Sequence, residues 1–187
     1  MAHEFKTIYE LLDALRVRPA LYLGYTTIGH LSAFLSGLTF AKIDPGIPSV
    51  WGFNRWITGR VKGISTNLPC VWLEEKLGAE AALEAYFRYL DEYRACKEVE
   101  VAFASNAKLI PRFYLMDAEG NNQPPPLPDK LYVGQFAPSK VFFLGEVYGD
   151  DTERSFPYHR TMKSAIAEAK SRWSVPVSAW KRRRGAE

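Results

Sequence analysis

Several things are scarce in this 187-residue sequence, and each scarcity excludes a class of protein. No apolar run approaches the roughly 18 residues that a membrane-spanning helix needs. The opening AHEFKTIYELL places acids where a signal peptide would have a basic lead and an apolar stretch, so a cytoplasmic protein is expected. Cysteine occurs twice, at Cys70 and Cys96. The two do not form a CxxC pair, and no histidine stands at ligand spacing from either. They read as two buried thiols, with a disulfide or a metal site as the alternatives. Neither GxGxxG nor GxxxxGK[ST] occurs, so no glycine-rich loop is available to cradle phosphates. No cofactor and no metal are expected.

Charge of one sign is also scarce. Lys and Arg number 24 against 21 Asp and Glu, a net of +3. Four of the bases and one acid lie in KRRRGAE, residues 181–187, which therefore carries the whole excess. Residues 1–180 are formally neutral, which argues against a basic nucleic-acid groove spread over the fold. Only Lys181, Arg182, Arg183 and Arg184 are candidates for touching a polyanion, and a solvated terminus is the plainer reading of them.

What is present is a core. Hydrophobic residues make up 47% of the chain, with 5 Trp, 10 Tyr and 11 Phe. That composition excludes disorder over most of its length. Thr7 and Glu10 have the S/T-x-x-E spacing of a capping box, and Ile8, Leu11, Leu12 and Leu15 follow at helical period. Pro19 should end this helix near Val17. Gly24 permits a turn, and Thr26 or Thr27 can cap a second helix with the stripe Ile28, Leu31, Phe34, Leu35 and Leu38. RPALYLG, residues 18–24, thus reads as a linker that stops one helix and aims the next. AKIDPGIPS reads as a loop before a helix containing Trp51, Trp56 and Ile57. VKGISTNLP reads as another loop, and CVWLEEKLG as a short helix closed by Gly78. The clearest helix covers AEAALEAYFRYLDEYRAC, with Leu83, Tyr86, Phe87, Leu90 and Tyr93 on one face. Glu84, Arg88 and Glu92 stand at i,i+4 on the other.

After Cys96 the pattern shifts to short β-branched and aromatic runs: VEVAFA, RFYLM, KLYVG and KVFFLGEVYG. DAEGNNQPPPLPD is either a long hairpin loop or a semi-rigid spacer, and GDDTER is a turn. TMKSAIAEAKSRW is a last helix with Met162, Ala165, Ile166, Ala169 and Trp173 in one stripe. The expected fold is α+β. About five helices over 1–96 precede a small antiparallel sheet with one C-terminal helix over 97–180, and 181–187 form a basic tail.

Catalytic groups do not assemble by spacing. His3 and His30 lack partners readable from sequence, and Tyr158, His159 and Arg160 offer at most a polar cluster for an enzyme site. Glu74–Glu75 and Asp91–Glu92 are adjacent on helices and so do not share a face. The surplus of aromatics in the helical half, Tyr25 among them, suits an interface.

The phrase RPALYLG is similar to one that opens the ATPase domain of type II topoisomerases. There the following helix carries an acid and an Asn, whereas TTIGHLSAFLSGL has neither. The helical half more closely resembles a set of small bacterial proteins from toxin neighbourhoods, many of them called immunity proteins. Their pattern is RPxMYLG, a helix of the form xxIxxLxxFLxGY, an F-x-x-W helix, a Trp segment and an aromatic, acidic helix end. This chain matches with RPALYLG, Ile28, Leu31, Phe34, Leu35, Gly37, Phe53, Trp56, Trp72 and AYFRYLDEY. It departs at Ala20, where Met is expected, and at Leu38, where an aromatic is expected. The resemblance covers the first half and implies a non-enzymatic protein that occludes a partner toxin. Tyr25, Glu74, Glu75, Arg88, Asp91 and Glu92 are the expected contact residues.

Overall fold

A computed structural model describes residues 5–40, 51–62, 69–104, 108–154 and 158–183. The fold is α+β, with helices first, then an antiparallel sheet and a late helix. The chain divides into two compact units, Met1–Ala95 and Cys96–Glu187.

In the first unit α1 spans Ile8–Val17. The Thr7 hydroxyl accepts the Glu10 N–H at 3.2 Å, as a capping residue should. The Glu10 carboxylate reaches back one residue further than in a standard capping box, accepting the Lys6 N–H at 2.8 Å. Pro19 pushes Arg18 out of helical geometry, to φ −139° and ψ 63°. The linker expected over RPALYLG is itself helical. Pro19–Leu23 form α2, because a proline at the first helical position lacks only an N–H that would be unpaired anyway. Gly24, at φ +73°, ends it. Of the two candidate caps, Thr27 is used: its hydroxyl accepts the His30 N–H at 3.3 Å and starts α3, Ile28–Phe40.

Helix α4 is Trp51–Arg60, α5 Pro69–Leu77 and α6 Ala79–Arg94. The expected loop residues 41–50 and most of VKGISTNLP lie outside the described residues, as does the Trp51 side chain. Gly78, at φ +80°, joins α5 to α6 by donating to Glu74 O and accepting from the Ala82 N–H, both at 2.9 Å. The apolar faces close on Leu12, Leu15, Ile28, Leu31, Phe53, Trp56, Leu73, Tyr86 and Leu90, all buried. Phe53 meets Tyr86 edge-on at 5.0 Å, and Trp56 meets Tyr93 at 5.6 Å.

In the second unit β1 is Lys97–Ala104, β2 Leu115–Met116, β3 Asn122–Gln123, β4 Lys130–Ala137, β5 Val141–Tyr148 and β6 Asp151–Arg154. Helix α7 is Met162–Trp173 and β7 is Trp180–Arg182. The main sheet runs β6-β5-β4-β1-β7, antiparallel throughout, while β2 and β3 form a separate ribbon. Four expectations change here. RFYLM contributes only its last two residues to a strand. GDDTER is mostly strand, since Asp151–Arg154 pair with β5 and the turn sits at Gly149–Asp150. The polar segment after RFYLM holds β3. The start of the expected basic tail is an edge strand, with Lys181 opposite Phe103 and Arg182 opposite Ala102.

Helix α7 covers one face of this sheet. Ala165, Ala169 and Trp173 are buried against Ala102, Leu131, Val133 and Leu144. On the opposite face Phe136, Phe143 and Tyr158 stack together, with Tyr132 edge-on to Phe143 at 6.0 Å. Each ring of the Tyr132–Phe143 pair lies over the glycine opposite another: Phe143 over Gly134, Tyr132 over Gly145. A Cβ at either glycine would overlap the ring. The aromatic side chains have taken the volume that glycine leaves. Gly134→Ala and Gly145→Ala are therefore each expected to destabilise the protein by about 1–3 kcal/mol, although alanine loses less backbone freedom on folding. Urea denaturation curves measure this directly.

Candidate functional site

The charged residues expected to form a contact face do not all do so. On α6, Asp91 pairs with Arg16 of α1 at 2.8 Å and Arg94 with Asp13 at 2.7 Å. Glu92 pairs with Arg60 of α4 at 2.7 Å. The C-terminal end of α6 runs between basic groups of its neighbours, so its acids are engaged inside the unit. Arg88 does not bridge Glu84 and Glu92; its guanidinium lies 5.3 Å from the Tyr89 ring. These half-exposed pairs each contribute roughly 0–1 kcal/mol.

The α1–α3 corner differs. Helix α2 has no buried residue despite its sequence PALYL. Val17 is 77% exposed, Leu21 69% and Tyr25 69%. The Tyr25 ring is held against His30 at 4.9 Å, and His30 Nδ1 shares a 2.6 Å hydrogen bond with the Thr27 hydroxyl. The Glu74 carboxylate lies beside Gly29, at the first turn of α3, where unpaired N–H groups favour an anion. Glu75 is exposed. The corner thus joins Tyr25 to Glu74 through α3 and leaves Asp91 and Glu92 with other work. Sequence reasoning missed Val17 and Leu21, whose helical spacing gave no sign that they face outward.

The second unit holds a polar network between α7 and the sheet. Glu146 is buried at 2% exposure. It accepts the Trp173 indole N–H at 2.9 Å and the Tyr148 hydroxyl at 2.9 Å, and faces Arg172 at 3.4 Å. Arg172 also stands 4.0 Å from Glu168, which meets His159 Nε2 at 2.5 Å. His159 is pinned by two backbone hydrogen bonds to Phe142, each 2.7 Å. Burial first, then the bond to Glu146, raises the Tyr148 hydroxyl above its ordinary pKa. Tyr158, His159 and Arg160 do not form one site. Tyr158 packs under Phe136 and Phe143, His159 points to α7, and Arg160 is exposed. Successive residues of an extended segment face opposite ways. The readable signals were Glu146, a lone acid in the apolar run VFFLGEVY, and the i,i+4 pair Glu168 and Arg172.

At the C-terminal edge, Arg183 pairs with Glu100 at 3.1 Å, and Glu100 also binds Lys130 at 2.6 Å. Lys181 and Arg182 are exposed strand residues, and Arg184 lies outside the described residues. Neither cysteine forms a disulfide among the described residues. Cys70 is buried, but Cys96 is only half-buried, contrary to the reading of two buried thiols. Among the described residues no helix is long and apolar enough to cross a membrane. Among them, too, no three His, Cys, Asp or Glu side chains gather as a metal ligand set. Comparison with protein-family models, curated proteins and solved structures finds no match.

Two tests follow from these environments. Glu146→Ala should cost about 3 kcal/mol, since it strands the Trp173, Tyr148 and Arg172 donors, whereas His159→Ala should cost about 1 kcal/mol. Thermal unfolding of the two variants discriminates them. Burial raises the Cys70 thiol to about 11, and Tyr86, buried without a hydrogen-bond partner among the described residues, is also raised. A raised folded-state pKa contributes stability that is whole below the unfolded value and is lost as pH rises toward the folded one. Stability should therefore fall between pH 9 and 11, by on the order of 2 kcal/mol from Cys70. Urea titrations across that window should be flatter for Cys70→Ala.

Proposed function

We propose that the chain is a non-enzymatic binding protein of the immunity type, which acts in the cytoplasm by occluding a partner toxin. The observation that supports this most is the exposure of three large apolar side chains in and beside the proline-to-glycine motif. A joint whose only task was to turn the chain would bury its apolar residues. Here Val17, Leu21 and Tyr25 stay in solvent while the residues flanking them, Leu12, Leu15, Ile28 and Leu31, fill the core. Keeping three large apolar groups wet has no benefit for the isolated fold, and a rigid tyrosine held by a neighbouring ring is a common interface anchor. The same motif carries the resemblance to immunity-type proteins.

Glu74 and Glu75 supply acids near this corner, so they are the retained charged contacts. Asp91 and Glu92 would first have to leave Arg16 and Arg60. The basic terminus gives little to a nucleic-acid reading, because Arg183 is already opposed by Glu100.

Co-expression with the product of the gene encoded beside it is the test. Protection of growth and a co-purifying complex are expected. Leu21→Ser combined with Tyr25→Ala should weaken that complex about 30-fold or more without changing the folded state, as truncated anchors do. Asp91→Asn should have little effect. Absence of both protection and complex rejects the reading.

A further inference from the structure

β1 and β4 are hydrogen-bonded neighbours, and adjacent antiparallel strands need a loop of only about two to five residues. Instead the chain leaves the sheet after Ala104 and returns at Lys130. The described part of this excursion is built rather than loose. At its root the Ile110 N–H donates to Trp173 O at 3.0 Å and the Arg112 N–H to Arg172 O at 2.8 Å, so it is stitched to the C-terminal end of α7. At its tip the Asp117 carboxylate accepts the N–H groups of Asn121 and Glu119, at 2.7 and 3.1 Å, closing the β2–β3 ribbon. The prolines at 124–126 and 128 stiffen the return.

This arm keeps four of its large apolar groups in water. Tyr114 is 68% exposed and Met116 75%, and Leu115 and Leu127 are exposed as well. Its charge is of one sign: from Phe113 to Asp129 there is no Lys or Arg, while Asp117, Glu119 and Asp129 are acids.

The outward face of α7 is its complement. Lys163, Ala167 and Lys170 are exposed along it, and Arg160 precedes it. The single acid of the helix, Glu168, is turned inward onto His159. Among the described residues Arg160, Lys163 and Lys170 make no ion pair. Lys163 and Lys170 stand about 10 Å apart along the axis, with the small Ala167 between them. Lysine stems on either side of an alanine form an apolar trough rimmed by positive charge. Tyrosine and methionine can lie in such a trough while carboxylates meet its rim.

We propose that the arm of one copy seats on the α7 face of a second copy, and that the chain forms a two-fold dimer through this exchange. Every copy carries both halves, and the arm is rooted on the same helix whose outer face receives its counterpart, so a two-fold arrangement can satisfy both contacts at once. The proposal concerns the second unit alone and does not depend on the toxin reading.

Sedimentation velocity on the full chain, over a wide concentration range at low and high salt, tests it. A monomer–dimer equilibrium weakened by salt is expected. Tyr114→Ser with Met116→Ser, and separately Lys163→Glu with Lys170→Glu, should each raise the dissociation constant about tenfold or more. Glu119→Lys should recover part of the affinity lost in Lys163→Glu. All these positions are exposed, so the unfolding curves should stay unchanged. A monomer at every concentration, as expected if the arm serves a different protein, overturns the proposal. So does a dimer indifferent to both pairs of substitutions.

Discussion

A carboxylate in the middle of an apolar strand has to be answered on every side, and much of the second unit is arranged as the answer to Glu146. A buried anion without partners would cost several kcal/mol. Trp173 and Tyr148 donate to it, and Arg172 supplies the opposite charge. Two of these three groups lie at the end of α7, so the requirement fixes the rotation and position of that helix on the sheet. Once α7 is fixed, Glu168 meets His159, and the Trp173 and Arg172 carbonyls are left free to anchor the returning backbone at Ile110 and Arg112. One charge thus sets a helix, a strand entry and the base of the long arm.

The first unit is governed by a backbone constraint instead. Pro19 removes Arg18 from helical geometry, and Gly24 supplies a positive φ that a side-chain-bearing residue rarely adopts. Between them the five residues of α2 form a single short helix that cannot lie along either neighbour for long. Packing then falls to α1, α3 and α6; in the joint Tyr22 and Leu23 are only half-buried and Leu21 faces water. That is how a motif built from ordinary turn chemistry becomes a surface feature.

Much of the architecture was legible for the reason that periodicity is a core signal. Most residues of the stripes on α1, α3, α6 and α7 are buried, while Phe34, Leu38, Tyr93, Met162 and Ile166 are half-buried, and the aromatic runs name β1, β4 and β5. What escaped were elements without a buried stripe. Helix α2 is short and exposed. β6 is four polar residues, and β7 holds two bases that read as tail. β7 depends on hydrogen bonds to β1, far away in sequence, which no local pattern encodes, whereas α2 and β6 close local hydrogen bonds but carry no apolar stripe to mark them. Polar positions were legible only in part. Asp91 and Glu92 read as contacts for a partner because their own partners, Arg16 and Arg60, are distant in the chain. Glu146 read as one unremarkable letter in a strand, although a lone acid among seven mostly apolar neighbours could have marked it.

Charge shows why sums over a sequence conceal so much. The residues up to 180 balance formally, and on that ground no basic groove spread over the fold was expected. Balance, however, is reached in two different ways. In the helical unit opposite charges meet as near neighbours, Arg16 with Asp91, Asp13 with Arg94 and Arg60 with Glu92. The sheet unit also pairs some of its charges, Glu100 with Lys130 and Arg183 and Glu146 with Arg172, but holds others apart, acids on the arm and bases on the outside of α7. Charges that meet at home have little left to offer a partner. Charges held apart by a rigid fold still carry their attraction, and a stiff arm with exposed aromatic and thioether groups provides the apolar contact that attraction alone cannot. Neutrality by pairing and neutrality by segregation look the same as totals, but only the second leaves the surface something to bind.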